Sequence, residues 1–303
     1  MPGVISLLIC HSERSEEPRF ESLPASARQE GFFPALRMTG ELTFGASHRS
    51  DANAESPAGN SLFAQSAAQI LDRRFRRSDV SFLLLEVQTG TLLASRWPDP
   101  QKTIPMGSLV KPFTALAYAE EHEFRYPAHL CRGTRSGCWL PAGHGSVDIV
   151  SAIAGSCNSY FRMLTAKMTA ADVAPIARRF GVEEPGFELA GPALCGIGNR
   201  WLTSPLRIAH AYLELVRRRW QPGVSELVAG MAQSARDGTG VELGRALPHV
   251  PALVKTGTAG YDGFVVAVVP ADEPEFLLLV RVRGVPGARA SATAGRMLES
   301  IGE

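Results

Sequence analysis

The chain has 303 residues, 45% hydrophobic and 20% charged, enough to bury the core of one large domain or two small ones. Its 31 Lys and Arg against 30 Asp and Glu leave a net charge of +1, and no basic run is interleaved with aromatics, which argues against a nucleic-acid binder. No apolar run approaches the ~18 residues needed to span a bilayer.

Residues 1–60 are rich in Ser, Glu, Arg, Pro and Gly without sustained periodicity and read as a disordered tail, leaving 61–303 as the folded domain. The first ten residues lack a basic start and a small-residue cleavage site, so they make a poor export signal. Leu7-Leu8-Ile9-Cys10 is a poor lipid-attachment box, because Ile9 stands where a small residue is wanted. The tail could also be a mis-assigned translation start that has displaced an export signal.

Over 61–77, Leu62, Phe63, Ala67, Ile70, Leu71 and Phe75 recur at helical spacing. Segments 80–87 and 91–95 read as a β-hairpin across Gln88-Thr89-Gly90. After a Pro-bounded loop comes Gly107-Ser108-Leu109-Val110-Lys111-Pro112-Phe113, opening an apolar helical run. Pro112 fits only in the first helical turn, which puts Ser108 at or just before the N-terminus, where orphan N–H groups favour negative charge. Residues three apart share a helix face, so Ser108 and Lys111 could share a hydrogen-bonded pair, a nucleophile beside a possible base; a Ser N-cap with a surface Lys one turn later, needing no function, is the alternative reading. By itself Ser-x-x-Lys is weak, since average composition gives roughly a one-in-four chance of finding it with four lysines. The scarcity of lysine, only Lys102, Lys111, Lys167 and Lys255, is more telling, because Arg cannot give up its proton and a desolvated Lys can.

Segment 120–145 is rich in Gly and Pro and reads as loop. A short helix over 148–154 stops at Gly155, Ser156-Cys157-Asn158 follows, and a second helix covers 160–168. Ser156 and Asn158 offer a hydroxyl and an amide to one cavity, or else one of them simply caps the next helix. Further helices are expected over 171–180, with Pro175 delaying the start, from Thr203-Ser204-Pro205 onward, and over 228–235. Asp237-Gly238-Thr239-Gly240 reads as a turn with no phosphate role. Lys255-Thr256-Gly257 lies on or beside a strand neighbouring an antiparallel pair, 264–269 and 276–282, and 290–301 closes as a helix. With so few lysines, Lys-Thr-Gly arises by chance only about a few times in a hundred.

The five cysteines, Cys10, Cys131, Cys138, Cys157 and Cys195, show no metal-like pairing: Cys131 and Cys138 are seven apart and no His pair follows, so zinc is not expected. In an oxidising compartment Cys131 and Cys138 could close a small loop; two free, half-buried thiols are as compatible with the spacing. The seven histidines read as surface or satisfied core groups.

The order Ser-x-x-Lys, Ser-x-Asn, Lys-Thr-Gly resembles the serine acyltransferases that recognise penicillin, the penicillin-binding transpeptidases and related β-lactamases. The surrounding stretches Met106 to Leu116, His144-Gly145-Ser146-Val147-Asp148, Leu202-Thr203-Ser204-Pro205-Leu206 and Val254 to Ala259 are similar to the transpeptidase branch. The resemblance spans about 80–285 and implies an α+β fold: a five-stranded antiparallel sheet flanked by helices, an all-helical lobe, and the active site between them.

It further implies that Ser108 attacks the carbonyl of a D-Ala-D-Ala peptide, or of the β-lactam that imitates it, and forms an acyl-enzyme. Lys111 would be the base, its pKa lowered by burial and by Lys255; Ser156 would relay a proton to the leaving amine. Asn158 would orient Lys111 and a substrate amide. Lys255 with Thr256 or Thr258, on the Lys255-Thr256-Gly257 strand, would hold the terminal carboxylate, and the N–H groups of Ser108 and Thr258 would serve an oxyanion. No metal and no cofactor is implied. The implied partners are a peptidoglycan stem peptide or β-lactam and cell-envelope proteins, with no nucleic acid, and the implied location is the periplasm or cell envelope. No polymerising region, membrane anchor or long pedestal is read in the chain. No Glu-x-x-Leu-Asn or Tyr-x-Asn stretch is present, so slow hydrolysis of the acyl-enzyme is expected. D,D-Carboxypeptidase, β-lactamase, or a non-catalytic β-lactam-binding sensor or scaffold stay open as alternatives.

Overall fold

The computed structural model describes residues 57–302 apart from Ser78. In chain order it runs α1 (Pro57–Arg74), β1 (Val80–Glu86), β2 (Leu92–Arg96), β3 (Ile104–Pro105), a 3-10 turn (Gly107–Val110) and α2 (Lys111–Glu121). Next come β4 (His129–Cys131), a second 3-10 turn (Gly133–Ser136), β5 (Gly145–Val147), α3 (Ile149–Ala154), α4 (Asn158–Leu164), α5 (Ala170–Phe180) and a third 3-10 turn (Gly191–Cys195). The chain ends with β6 (Leu202–Thr203), α6 (Pro205–Arg217), α7 (Val224–Asp237), α8 (Val241–Ala246), β7 (Leu253–Ala259), β8 (Asp262–Val269), β9 (Phe276–Arg283) and α9 (Gly287–Gly302). Of the segment read as a tail, residues 1–56 lie outside the described residues, and α1 begins at Pro57, four residues earlier than the spacing suggests.

Five strands form one antiparallel sheet in the order β2-β1-β9-β8-β7. The central strands are apolar at nearly every position because both faces of the sheet are covered. Phe82, Leu84, Leu278, Val280, Val265 and Ala267 point into a core built with α1 and α9, where Leu71, Ala290, Ala294 and Met297 meet them. Their neighbours Leu83, Leu85, Leu277, Leu279, Val266 and Val268 point the other way, into the core of the helical lobe. One strand position therefore switches a side chain between two cores, and the pairing of Leu83 with Leu279 and of Leu279 with Val266 keeps like faces aligned.

At the centre of the lobe lies α2, buried from Lys111 through Ala117. Phe113 packs between Phe180 of α5 and Tyr212 of α6, at ring separations of 5.7 and 5.6 Å. The Ile208, Ala209, Tyr212, Leu213, Leu215 and Val216 stripe of α6 is core, and Ser204 caps that helix by accepting from the Arg207 N–H.

Three expectations change. Pro175 does not delay α5: the helix starts at Ala170 and carries the proline on its exposed side, where water can satisfy the carbonyl it leaves free. Helix α7 is longer than 228–235 at both ends. Strand β4, whose Cys131 pairs with Gly145 of β5, lies in the stretch that reads as loop, and helix α8 follows the Asp237–Gly240 turn in a stretch to which no element is assigned; both are too short to show a period.

Candidate active site

The 3-10 turn that carries Ser108 is pressed against the free edge of β7 by glycines. A Cβ on Gly107, whose φ is +56°, would fall 2.1 Å from the Thr258 carbonyl oxygen; one on Gly257 would fall 2.5 Å from the Met106 oxygen. On the far side, a Cβ on Gly196 would meet the Gly107 oxygen at 2.1 Å. No side chain fits at these three contacts, so backbone lies on backbone. The Thr258 nitrogen also lies only 3.0 Å from the position of a Gly107 Cβ, so the outward edge of β7 faces the Ser108 turn. Tyr212, fully buried, donates to the Leu109 carbonyl at 2.9 Å and fixes the turn from the lobe side.

As expected, Pro112 sits in the first turn of α2 and Ser108 just ahead of it. The Ser108–Lys111 hydrogen bond is not formed. Lys111 is fully buried and spends its three donors elsewhere: on the Ser156 carbonyl at 2.8 Å, the Asn158 Oδ1 at 2.7 Å and the Ser156 Oγ at 3.3 Å. The ammonium also stands 5.0 Å from the centre of the Phe161 ring. The half-buried Ser108 hydroxyl has no hydrogen-bond partner among the described residues.

Lys255, also fully buried on β7, donates to the Ser156 Oγ at 3.0 Å and to the Thr256 carbonyl at 2.7 Å. One hydroxyl therefore receives both ammonium groups. Burial lowers Lys111 to about 8, against a partial pull upward from the thiols of Cys195, Cys157 and Cys138. Burial lowers Lys255 well below the ordinary lysine range, and the charge of Lys111 pushes it the same way.

Neither Ser156 nor Asn158 is the cap of α4. Cys157 holds that position, its sulfur accepting from the Tyr160 N–H at 3.5 Å. Ser156 has φ +49°, a left-handed conformation that costs a non-glycine residue about 1 kcal/mol or more. That turn aims the Ser156 hydroxyl and Asn158 amide at the lysines.

Sequence reasoning missed two contributors. Thr239, in the turn after α7, accepts from the Thr256 hydroxyl at 2.6 Å and bonds through its own N–H to the Ala154 carbonyl at 3.0 Å, tying β7 to the end of α3. The one available signal was its pair of flanking glycines: a Cβ on Gly238 would meet the Ala154 oxygen at 2.4 Å, and one on Gly240 would meet Val254 at 2.5 Å. Trp139 donates its indole N–H to the carbonyls of Gly155 and Ser156, each at 3.2 Å, and nothing in the sequence marked it.

The spacing that argued against a metal does not describe the folded arrangement. Cys131, Cys138, His144 and Cys157 bring one ligand atom each to within 4.8 Å of one another beneath the Ser156 turn. The three thiols are buried and unpaired, and His144, read as a surface or satisfied core group, faces two of them. Two surface hollows of about 460 and 540 Å³ lie elsewhere, and neither is lined by Ser108, Lys111, Ser156 or Lys255, so the site is defined by its chemistry rather than by cavity size.

A helical lobe on a five-stranded antiparallel sheet, with Ser108, the Ser156 turn and the Lys255 strand meeting between them, is the architecture of the penicillin-recognising transpeptidase class. The model of the penicillin binding protein transpeptidase domain matches residues 80–302, and the chain belongs to that family. Among solved structures it is similar to Pseudomonas aeruginosa PBP2 in complex with WCK 5153: 18% identity over 79% of this chain and 73% of that one, with a TM-score of 0.65. It is also similar to PBP2 of Helicobacter pylori, with 16% identity over 77% of this chain and 61% of that one and a TM-score of 0.65. A peptidoglycan glycosyltransferase from Burkholderia ambifaria matches with 17% identity over 81% of this chain and 94% of that one, TM-score 0.62. At these identities the likeness is one of fold. No curated protein sequence matches the chain. Among the described residues no helix is long and apolar enough to cross a membrane.

Proposed function

We propose that this chain is a serine D,D-transpeptidase that acts on the D-Ala-D-Ala end of peptidoglycan stem peptides through a Ser108 acyl-enzyme, and that β-lactams acylate the same serine. The observation that carries this reading is the pair of fully buried amines, Lys111 and Lys255, converging on one hydroxyl, Ser156 Oγ, at 3.3 and 3.0 Å. Surface lysines need no such arrangement; a relay of protons does.

In this mechanism neutral Lys111 takes the Ser108 proton as Ser108 Oγ attacks the carbonyl carbon of the penultimate D-Ala. The Ser108 and Thr258 N–H groups receive the developing oxyanion, and Lys255 with Thr256 or Thr258 binds the terminal carboxylate. The carbon–nitrogen bond then breaks. The proton held by Lys111 passes through Ser156 Oγ to the departing D-Ala amine, leaving the acyl group on Ser108. An acceptor amine attacks the ester, its proton returns through Lys111, and Ser108 is released with its hydrogen. Asn158 keeps Lys111 aimed throughout. The chemistry belongs in the cell envelope, where the polymer is, and we assign it to the domain read as 61–303, which α1 extends back to Pro57. The structure of H. pylori PBP2 with MreC supports envelope proteins as partners for this chain as well.

The test is intact mass spectrometry of the purified protein with a penicillin over hours, repeated with Ser108→Ala, followed by D-Ala release from a pentapeptide with and without an acceptor amine. A lasting adduct absent from the variant, with acceptor-dependent release, is the expected result. Release without an acceptor would make the protein a carboxypeptidase, and an adduct that turns over would make it a β-lactamase. An adduct with no D-Ala release would make it a sensor. No adduct in folded protein would sink the Ser108 assignment.

A further inference from the structure

We propose that Arg76, Arg77, Arg283 and Arg289, at the end of the sheet beyond Ser108, form a docking surface for the acidic part of the donor strand, the carboxylate-bearing residues that precede the reacting D-Ala. This rests on the transpeptidase reading above and adds a substrate class to it: a donor peptide with free carboxylates, rather than carboxamides, ahead of D-Ala-D-Ala. The first step is direction. The groups that the mechanism gives to the substrate are ordered along β7, the terminal carboxylate at Lys255 and Thr256 and the oxyanion at the Thr258 N–H. A chain laid in that order leaves the site toward Ala259 and the two-residue turn Gly260-Tyr261 that joins β7 to β8. Tyr261 stands 89% exposed at that exit, an apolar ring with a polar tip and room for a ligand to lie against it.

The register of the sheet says what such a chain meets next. Ala259 lies opposite Asp262, and Asp262 opposite Arg283. The Arg283 N–H bonds to the Asp79 carbonyl at 2.9 Å, which carries the same row to the segment entering β1, with Arg76 and Arg77 just ahead of it. Strands ~4.8 Å apart put the Arg283 backbone about 10 Å from β7. Two extended residues cover ~7 Å, and the side chains reaching from both sides close the rest. From the other face of the sheet, the Gly287 N–H donates to the Thr258 hydroxyl at 2.9 Å, and a Cβ on Gly263 would fall 2.8 Å from the Pro286 oxygen. These contacts bring the first turn of α9, with Arg289, to the same corner.

The charge of this corner is out of balance. Arg76, Arg283 and Arg289 are exposed and hold no ion pair among the described residues, while Arg77 pairs with Asp79 at 3.1 Å. Arg281, one row deeper, lies 4.9 Å from the centre of the Trp97 ring and donates to the Ser81 hydroxyl at 3.0 Å, with its Nε buried and unpartnered. Burial, and then the charge of Arg283, hold Arg281 below the ordinary arginine value, and Asp262 pulls it part of the way back. Arg289 sits in the first turn of α9, where the helix dipole disfavours a cation and no acidic residue offsets it. Guanidinium groups gathered against their own repulsion gain most from a ligand that brings carboxylates, which accept their N–H groups in pairs.

The experiment uses the full chain and two pentapeptide donors, one with free side-chain carboxylates on the two residues that precede D-Ala-D-Ala and one with the same groups as carboxamides. In D-Ala release the wild type is expected to favour the carboxylate donor in kcat/KM by roughly threefold to tenfold at low salt, the ratio falling toward one as salt rises. Arg76→Glu combined with Arg283→Glu brings the ratio to one or below and leaves acylation by penicillin unchanged. Arg245→Glu, on α8, keeps the wild-type ratio. Should the double variant fail to fold, the wild-type ratio and its salt dependence decide. Equilibrium binding of both donors to Ser108→Ala repeats the comparison without chemistry, so a protein unable to release D-Ala still reports on this surface, whereas loss of penicillin acylation speaks against Ser108 alone. Equal handling of the two donors by the wild type, a preference that survives both arginine changes, or no binding of either donor overturns the proposal. So does salt-sensitive sedimentation with phosphatidylglycerol vesicles without any donor preference, which would give the arginines to a membrane surface.

Discussion

Lys111 and Lys255 place two groups of like charge in one dry site, and that fixes how the site answers to pH. Lys111 is lowered to about 8, first by burial. In the mechanism proposed above only its neutral form takes the Ser108 proton, so acylation by penicillin should rise about tenfold per pH unit below 8 and level off above it. A stopped-flow profile that is flat from pH 6 to 9 would contradict this. Stability follows the same direction. Between about 8 and the ordinary lysine value of 10.5 the unfolded chain binds the proton and the folded chain does not, so the Lys111 contribution to stability rises with pH across that window, by up to about 3 kcal/mol. Below it the cost of burying the charge is fully present. Lys111→Arg keeps the charge but cannot release the proton. It should slow acylation by about 10²–10⁴-fold and remove the rise near pH 8, which the same profile measures.

Among the elements, the contact between the Ser108 turn and β7 is the one that brings the Ser108 turn to the Lys255 strand, and glycine makes it possible. Gly107→Ala would set a methyl into the Thr258 carbonyl at a φ of +56°. We expect a loss of roughly 2–4 kcal/mol in urea unfolding together with slower acylation, because the turn must lift off the strand. The Thr256–Thr239 hydrogen bond works at the same contact from the other side. Thr239→Val should cost about 1 kcal/mol and weaken substrate binding more than it slows chemistry, seen as a higher KM at a nearly unchanged kcat. These contacts also mark how far the sequence could be read. Helix α6 was legible because Ser204, Pro205 and an apolar stripe agree, and β9 because a run of Leu and Val buried on two faces has no other home. Ser108, Lys111, Ser156, Asn158 and Lys255 were legible as motifs, and the structure gathers Lys111, Ser156, Asn158 and Lys255 into one hydrogen-bonded cluster with Ser108 beside it. Thr239, Trp139 and the approach of Cys157 to Cys138 were not, because each depends on which distant segments the fold sets side by side. The spacing of Cys131, Cys138 and His144 carries no sign of a fourth residue, Cys157, that arrives from the turn between α3 and α4.

For the whole molecule, the site is the seam between two cores. Ser108 and Lys111 belong to the lobe that packs around Phe113 and Tyr212, while Lys255 and Thr256 belong to β7, an edge strand of the sheet. A ligand held covalently by Ser108 and by its carboxylate on β7 therefore bridges the lobe and the sheet. Since the strands contribute alternate residues to both cores, neither core can open without exposing the other, and thermal unfolding of the chain should be a single transition. Acylation adds a tie across the seam that exists only in the folded state, so penicillin should raise the Tm by a few degrees, about 2–4 °C for each kcal/mol in a protein of this size. Ser108→Ala, unable to form the bond, should unfold at the same temperature with and without the drug. Differential scanning calorimetry of the two proteins separates the possibilities. A wild-type adduct with no shift would mean that the acyl group hangs from the lobe alone, and the carboxylate role of Lys255 and Thr256 would then have to be given up while the Ser108 ester stood.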